Sequence, residues 1–380
     1  MNFKKATLAA ALTLGFFSIA HADLTVGVVL PLTGPASGLG IPMKNQIALW
    51  PKSIAGENLK IVVLDDATDP TTGVKDAQRL VTEDKVDVII GSAATPVAIP
   101  MADVADESGT VQLAASPAGL PPGKDKWTFR LPQSNDVMAY AVVQHMKSQK
   151  VKTIGFLGYT DAYGELWLKA LQAEADKNGM KIVASERFGR ADTSVTAQVL
   201  KLTSANPDAI LIVASGSGAG MPQKAVMERG YKGKVYQTHA AATQDLMRTA
   251  GKDAEGAFVV SGPATVAEQL PESHPSKKAA VAFVTEYEKS YGPNSRNQFA
   301  AHSADALTIL EKAVPIALKK AKPGTPEFRA ALRDTLETMG RTTIAHGVLE
   351  WTPQNHWGYT NETGVMLKVV NGQFKVEQPQ

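Results

Sequence analysis

The sequence contains no cysteine, which excludes a disulfide framework and a cysteine-linked lipid anchor. Neither sign of charge is in excess, because the formal net charge is only +2, and the chain therefore lacks the basic surface that binds nucleic acid. Beyond the N-terminus no stretch is apolar enough to cross a bilayer. What remains is a chain of ordinary globular composition, whose 380 residues are too many for one typical domain and suit two lobes.

The N-terminus has the pattern of a secretory signal peptide. Two lysines precede an apolar core over residues 6–19, and residues 20–22 read Ala-His-Ala, an A-x-A cleavage site. We therefore expect a signal peptide over residues 1–22 and a mature chain of zero net charge, because the signal carries two lysines and no acid. A membrane anchor is the alternative, and the shortness of the apolar core disfavours it. Export without cysteine is compatible with a bacterial periplasm, since a large core makes disulfides unnecessary.

One stretch, Val86 to Val97 (VDVIIGSAATPV), combines a strand-like apolar run, a loop of small residues and a helix start. Thr95 is predicted to be the N-cap, because its hydroxyl can accept from the first free backbone N–H groups. Pro96 then takes the first helical position, where its missing N–H costs nothing. The free N–H groups and the helix dipole favour an anion above the loop. An ordinary strand–turn–helix connection is the alternative.

Strands and helices alternate along most of the chain. Strand-like segments are predicted over residues 24–30, 59–64, 86–90, 110–115, 153–157, 181–184, 209–213, 234–237 and 257–261. Such alternation is typical of a parallel, doubly wound sheet that binds ligands at the carboxyl ends of its strands. A polar stretch near residues 132–136 separates two series. The predicted fold is therefore α/β, with two doubly wound parallel-sheet lobes and a cleft between them.

The remaining segments add helices and a few short strands. A first helix is expected to run to about Ile54, and residues 276–339 are predicted to be mostly helical. Residues 347–376 have the pattern of short strands and turns, including Asn371-Gly372, a typical hairpin turn.

Four segments make the sequence resemble the type I periplasmic solute-binding proteins of the leucine/isoleucine/valine-binding family. They are GVVLPLTGPASGLG (Gly27 to Gly40), LDDATDP (Leu64 to Pro70), IIGSAATP (Ile89 to Pro96) and TAGKDAEGAFVV (Thr249 to Val260). Their order and spacing carry the resemblance, which covers essentially the whole mature chain. It implies two lobes joined by three crossovers, near Ser134, Gly262 and Trp351. Lobe 1 would comprise residues 23–133 and 263–350, and lobe 2 residues 134–262 and 351–380.

The resemblance also implies a ligand site. In this family the ligand carboxylate lies against a Ser or Thr at a helix start, which matches Ala94 and Thr95. Further contacts match Ser116 and Ala118, where the Ala lacks a family hydroxyl but keeps its backbone N–H. Tyr163 matches a tyrosine of the second lobe that closes over the ligand, although a structural tyrosine beside a turn glycine is the alternative.

Four positions depart from the family pattern of amino-acid binders. Leu39 stands where an aromatic residue is common. His239 stands where an acid holds the ligand ammonium, and Ser215 stands where a tyrosine is expected. A usual aromatic is replaced by Ala304, with His302 nearby. Because a histidine can donate to a carbonyl or an oxyanion and is cationic when protonated, these departures favour a carboxylate without an adjacent ammonium, such as an aromatic acid or a 2-oxo acid. A surface histidine without a ligand role is the alternative for His239.

Other polar and aromatic groups are predicted to be structural. Asp65, Asp66 and Asp69 lack the D-x-D-x-D-G spacing of a calcium loop and suit helix capping and stabilisation of the lobe. The glycine-rich residues 215–220 match no phosphate-binding motif. The aromatic residues within 351–359 suit packing at the hinge. The sequence thus predicts neither a cofactor nor a metal.

We therefore expect a monomeric periplasmic binding protein of a branched-chain or hydrophobic amino-acid-type ABC importer. It would close around a small carboxylate (an aromatic acid, a 2-oxo acid or an amino acid) and deliver it to an inner-membrane ABC permease. No nucleic-acid partner is expected. An exported α/β hydrolase is the competing hypothesis, and a Ser116–His239 pair would be its best nucleophile and base. A sensor that presents its bound ligand to a membrane receptor is a third possibility, which the sequence does not separate from transport.

Overall fold

Two sheets form the frame of the computed structural model, which describes residues 23–377. The signal peptide predicted over residues 1–22 lies outside the described residues. None of the helices in the described part of the chain is long and apolar enough to cross a membrane.

The first sheet has six strands in the order β2-β3-β1-β4-β5-β6. The strands are β1 (Leu24–Leu30), β2 (Ser53–Ile54), β3 (Glu57–Asp65), β4 (Val88–Gly91), β5 (Val111–Ala114) and β6 (Thr128–Arg130). All pairings are parallel except that of β2 with β3. Three helices follow its strands, namely α1 (Ser37–Ile47), α2 (Pro70–Thr82) and α3 (Thr95–Ser108).

The second sheet has seven strands and is entered through α4 (Asn135–Ser148). Its elements continue as β7 (Thr153–Tyr159), α5 (Ala162–Lys177), β8 (Lys181–Phe188), α6 (Thr196–Ser204), β9 (Ala209–Val213), α7 (Ser217–Glu228), β10 (Lys234–Gln237), α8 (Gln244–Ala250) and β11 (Phe258–Ser261). Strands β7 to β11 are parallel in the order β11-β10-β9-β7-β8.

The last quarter of the chain serves both sheets. Helices α9 (Lys277–Tyr291), α10 (Gln298–Ala317) and α11 (Pro326–Thr338) follow β11, and α10 packs on α1 of the first sheet. A small hairpin of β12 (Thr342–Ile344) and β13 (Gly347–Leu349) comes next. The chain then returns to the second sheet, where β14 (Val365–Val370) pairs antiparallel with β11 and with β15 (Gln373–Val376). The prediction of two parallel-sheet lobes is confirmed.

The chain passes between the two sheets at three segments, after β6, after β11 and after β13. Side chains tie these segments together. Gln133 Nε2 donates to the His346 carbonyl at 2.9 Å, and the Tyr359 hydroxyl donates to the Leu131 carbonyl at 2.8 Å. Trp351 is buried and packs edge-on against a phenylalanine of β6 with ring centroids 5.1 Å apart, so hinge packing by the C-terminal aromatic residues is confirmed. The predicted lobe boundaries stay a prediction.

The predicted first helix is too long. It ends at Ile47, and Ser53–Ile54 forms strand β2, which turns back onto the start of β3. The reason lies in the turn, because Ala55 and Gly56 both adopt positive φ (52° and 89°), which suits a two-residue hairpin and stops a helix.

The three aspartates at the end of β3 and in the loop after it are structural, as predicted. Asp65 accepts from the backbone N–H groups of Leu32, Thr33 and Ala67. Asp69 caps α2. Asp66 is fully buried and accepts from Ser92 Oγ at 2.6 Å, and burial raises its pKa to about 6. This bond anchors the small-residue loop before α3.

Two glycines allow a helix to pack closely against the carboxyl end of the strand before it, in α1 after β1 and in α5 after β7. A Cβ on Gly40 in α1 would lie 2.2 Å from the Pro31 carbonyl oxygen, and one on Gly164 in α5 would lie 1.9 Å from that of Tyr159. No real side chain tolerates such contacts. The two helices therefore pack on the carbonyl ends of β1 and β7.

We expect Gly164→Ala to lower the free energy of unfolding by about 2–3 kcal/mol, because the new methyl group forces α5 away from a backbone carbonyl. Gly179→Ala, just beyond the same helix, is the matched control: it meets nothing within 4 Å and should cost only about 1 kcal/mol for its positive φ. Urea unfolding of both variants measures the difference, and equal losses would contradict the packing role of Gly164.

Candidate functional site

A cavity of about 320 Å³ lies where the carboxyl ends of the strands of both sheets meet. Its wall is built from loops and helix starts that follow β4, β5, β6, β8, β9 and β10, and from the starts of α1, α5 and α10. This is the edge at which parallel α/β sheets bind ligands. Six of the residues predicted from the sequence line it: Leu39, Thr95, Tyr163, Ser215, His239 and His302.

Three predicted residues lie behind the wall. Ala94 is the cap residue just before Thr95. Ser116 and Ala118 flank Pro117, which does line the cavity together with Ala115. Ser116 and Ala118 are buried and are not among the residues that line the cavity.

The backbone of Ala118 is also engaged elsewhere. Its N–H donates to the Ser116 carbonyl at 2.7 Å, and its own carbonyl accepts from Nε of the buried Arg130 at 3.0 Å. The prediction that the Ser116–Ala118 loop contacts the ligand stays a prediction. The part of this loop on the wall is apolar, and Arg130 holds the loop in place.

Thr95 lies at the predicted position but in a different role. Helix α3 begins at Thr95 itself, so Ala94 occupies the cap position and Pro96 the second helical position. The prediction that Thr95 is the N-cap is wrong by one residue. No side chain caps this helix start. Pro96 has no N–H, and the Val97 N–H donates to the Ala94 carbonyl at 3.0 Å. The Thr95 N–H and hydroxyl are therefore the groups left for a ligand, and the Thr95 side chain lies on the cavity wall.

Arg190 is a cationic residue of the cavity wall that is not among the site residues predicted from the sequence. Its Nε donates to Asp161 Oδ2 at 2.5 Å and its Nη1 to Ser215 Oγ at 3.2 Å. The guanidinium also stacks over the ring of Tyr159, with Cζ 4.2 Å from the ring centroid. Its Nη2 has no hydrogen-bond partner within residues 23–377. A fixed guanidinium with a spare donor is suited to a carboxylate.

A signal for Arg190 existed in the sequence. The predicted strand stopped at Ala184, whereas β8 runs to Phe188. With the correct end, Arg190 becomes a charged residue two positions beyond a strand of the parallel sheet, which is where ligand contacts are expected.

The histidines of the wall are neutral near pH 7. His239 and His302 are both buried, and burial lowers the pKa of His239 to about 3 and that of His302 well below its ordinary value. His239 is therefore neutral in the unliganded protein, and its role as a donor to a carbonyl or an oxyanion stays a prediction. Each ring keeps an enclosed Nδ1 without a hydrogen-bond partner in the described part of the chain.

Flat rings make up much of the apolar wall. Phe299, at the start of α10, and Tyr163 line the cavity beside the two imidazoles. The Tyr163 hydroxyl is turned into the protein, where it donates to Thr238 Oγ1 at 2.8 Å. Phe299 is not among the residues predicted from the sequence, because the aromatic residue of the family was expected at Ala304, further along the same helix. The arrangement can hold a planar group, with polar atoms at its edges.

The wall does not support nucleophilic catalysis by Ser116 and His239. Ser116 lies behind the wall, and its enclosed Oγ has no hydrogen-bond partner among the described residues. A nucleophile must be hydrogen-bonded to its base, and no hydrogen bond joins these two side chains in residues 23–377.

Comparison with known proteins agrees with this geometry. A family model described as periplasmic binding protein matches residues 23–372. The Leu/Ile/Val-binding protein homolog 3 of Brucella melitensis is 29% identical over 67% of this chain and 72% of its own length. An extracellular ligand-binding receptor from Rhodopseudomonas palustris HaA2 is 45% identical, with a TM-score of 0.91 over 94% of this chain and all of its own. A solute-binding protein of an R. palustris ABC transporter, solved with benzoate, shares the fold at 18% identity and a TM-score of 0.75, over 93% of this chain and 95% of its own.

We expect Thr95→Ala to weaken the binding of a carboxylate such as benzoate by roughly tenfold or more, because a hydrogen bond to a charged group contributes about 1.5–3 kcal/mol. The free energy of unfolding should change by less than about 1 kcal/mol, since no cap bond is lost. Thr95→Ser keeps the hydroxyl and is the matched control. Calorimetric titration and urea unfolding measure the two quantities, and unchanged affinity in Thr95→Ala would rule out the role.

Proposed function

Because this chain belongs to the type I periplasmic binding proteins of the leucine/isoleucine/valine-binding family, we propose that it captures a small carboxylate without an ammonium group and delivers it to an inner-membrane ABC permease. The family is one of solute-binding proteins rather than enzymes, and the sequence prediction of a non-enzymatic binding protein of the branched-chain amino-acid transporter type is confirmed. The ligand, the permease and the monomeric state belong to the proposal.

The charge of the cavity wall carries this proposal. Arg190 presents a guanidinium, whereas the described lining residues include no Asp or Glu. Asp161, the acid that pairs with Arg190, already accepts the Arg190 Nε–H. A zwitterionic amino acid would therefore bury its ammonium without a carboxylate partner, and an unpaired buried charge is costly.

The rings of the cavity wall favour an aromatic acid. Rings on both sides favour a planar ligand over a branched aliphatic one. The benzoate-bound R. palustris protein is an instance in which this fold holds a carboxylate that has no ammonium.

Closure of the two lobes would complete the site. Thr95, at the start of α3, follows a strand of the first sheet, whereas Arg190 and Ser215 follow strands of the second. A ligand that contacts both sides favours the closed arrangement, since only there are all contacts made. The permease then recognises the closed form.

A thermal-shift screen tests the ligand class. Benzoate and other carboxylates without an ammonium should stabilise the protein, by about 2.7 kcal/mol at 100 times the dissociation constant. Leucine, isoleucine and valine should stabilise it less, because their ammonium finds no acceptor acid on the wall. Strong stabilisation by leucine together with none by any non-amino carboxylate would contradict the proposal.

Arg190→Met should weaken benzoate binding by at least about tenfold, because a charge-assisted hydrogen bond is lost. Arg187→Met is the matched control, since Arg187 lies three residues earlier and pairs with Glu165 on the surface. Its effect on affinity should stay within about twofold, as expected for an exposed ion pair. Isothermal titration measures both, and similar losses in the two variants would remove Arg190 from the site.

A further inference from the structure

A polar groove lies between the two halves of the molecule, next to the ligand cavity. The start of α1 and the residues before α10 line it from the side of the first sheet, and the start of α7 and helix α8 line it from the side of the second. None of its lining residues in the described part of the chain comes from the three crossover segments. The two sides of the groove therefore separate when the cleft opens.

The described arrangement of the two halves is the closed one. Thr95 lies after a strand of the first sheet and His239 after a strand of the second, and both line the ligand cavity. Each is at most 2% exposed. Contacts across the groove are therefore contacts of the closed form.

Asp245, on α8, reaches across this groove to the start of α1. A Cβ on Gly38, the second residue of α1, would lie only 2.7 Å from Asp245 Oδ2. The same oxygen would lie 3.5 Å from a Cβ on Gly216, the cap residue of α7. One carboxylate oxygen is thus placed between two helix starts, one from each half of the molecule.

Both helix starts lack a negative charge of their own. Within residues 23–377, neither α1 nor α7 has a side-chain cap or an acidic residue in its first turn. A helix start carries positive partial charge on its free N–H groups, and a carboxylate nearby is stabilising. Arg248 Nη2 donates to Asp245 Oδ1 at 2.7 Å, and this bond leaves Oδ2 for the two helices.

The two glycines are neighbours of residues on the ligand cavity wall. Leu39 follows Gly38, and Ser215 precedes Gly216, and both Leu39 and Ser215 line the cavity. Asp245 itself is not among the residues that line it. Its carboxylate is therefore placed to act on closure around a ligand without touching that ligand.

We propose that Asp245 is a positioning residue for ligand binding, whose carboxylate holds the start of α1 against the second half and so stabilises the closed form. Gly38 is its counterpart, because only a residue without a side chain leaves room for the Asp245 oxygen. When the cleft opens, the oxygen loses α1 and keeps α7. The contact therefore slows the release of an enclosed ligand. The inference requires closure around a ligand, but not the ligand class proposed above.

Distance measurements between the two halves test the inference on the whole mature chain. Since the sequence has no cysteine, Lys44→Cys on α1 and Lys224→Cys on α7 give two exposed labelling sites without background. Double electron–electron resonance between spin labels at these sites measures the separation of the halves, with and without benzoate. We expect Gly38→Ala and Asp245→Ala each to shift the distribution towards longer distances.

The affinity for benzoate should fall in parallel. Apparent affinity decreases with the fraction of molecules that reaches the binding-competent form. Each substitution should weaken benzoate binding by about three- to tenfold in isothermal titration, as expected when a carboxylate leaves two helix starts.

Urea unfolding separates the proposed role from a structural one. Gly38→Ala should not lower the free energy of unfolding, because alanine is a better helix former than glycine. Asp245 also lies in the first turn of its own helix, α8. A role limited to that helix would lower stability in Asp245→Ala and leave the distances unchanged.

A double variant and a matched control link the two residues. In the combined variant Gly38→Ala/Asp245→Ala the two effects should not add, because the methyl group at position 38 then has no carboxylate to displace. Asp253→Ala is the control, since it removes an acid just after α8 whose side chain does not line the groove. Its benzoate affinity should stay within about twofold of the wild type, with unchanged distances.

The possible outcomes decide between these roles. Equal distances in the wild type, Gly38→Ala and Asp245→Ala, with and without benzoate, overturn the inference. Fully additive effects in the double variant also overturn it, because the two residues then act separately. If benzoate changes neither the distances nor the heat of titration in the wild type, the proposed function fails for benzoate, and the ligand-free distances alone decide the inference.

Discussion

The close approach of two helices to the carbonyl ends of their strands is the constraint on which the cavity depends. Gly40 in α1 and Gly164 in α5 allow this approach, one beside each sheet. The residues before these glycines are Leu39 and Tyr163, and both line the cavity. A side chain at either glycine would force the helix outward and move its neighbour with it. The same device thus brings one wall residue from each half of the molecule to opposite sides of a single small space.

Electrostatics within that space bear on the choice of ligand more directly than the fold does. The fold by itself does not select a ligand, because function depends on the site that the fold carries. Here the wall combines a guanidinium already held by Asp161, a free helix start at Thr95 and neutral imidazoles. A neutral histidine in a dry cavity offers hydrogen bonds and a place for a proton, but no fixed charge.

The sequence predicted elements and register better than side-chain direction. Strands β1, β9 and β10 have the predicted bounds, because β-branched runs between turn residues are a strong local signal. Thr95 and His239 lie on the wall, since their place after a strand follows from topology. Ser116 does not, because the direction of a side chain in a loop depends on tertiary contacts, such as the hydrogen bond from Arg130 Nε to the Ala118 carbonyl. Arg190 was missed because a strand end was placed four residues early, and boundaries are the weakest part of any sequence-based assignment.

The return of the chain to the second sheet, where β14 pairs with β11, has a consequence for folding during synthesis. Strand β14 pairs with β11, which lies more than a hundred positions earlier, and β15 pairs with β14. Until those last residues are synthesised, β11 has an open edge, and open edges invite pairing with other chains. Contacts of such sequence separation also form slowly. Each half of the molecule therefore depends on late parts of the chain, since α10 packs on α1 of the first sheet and β14 completes the second sheet.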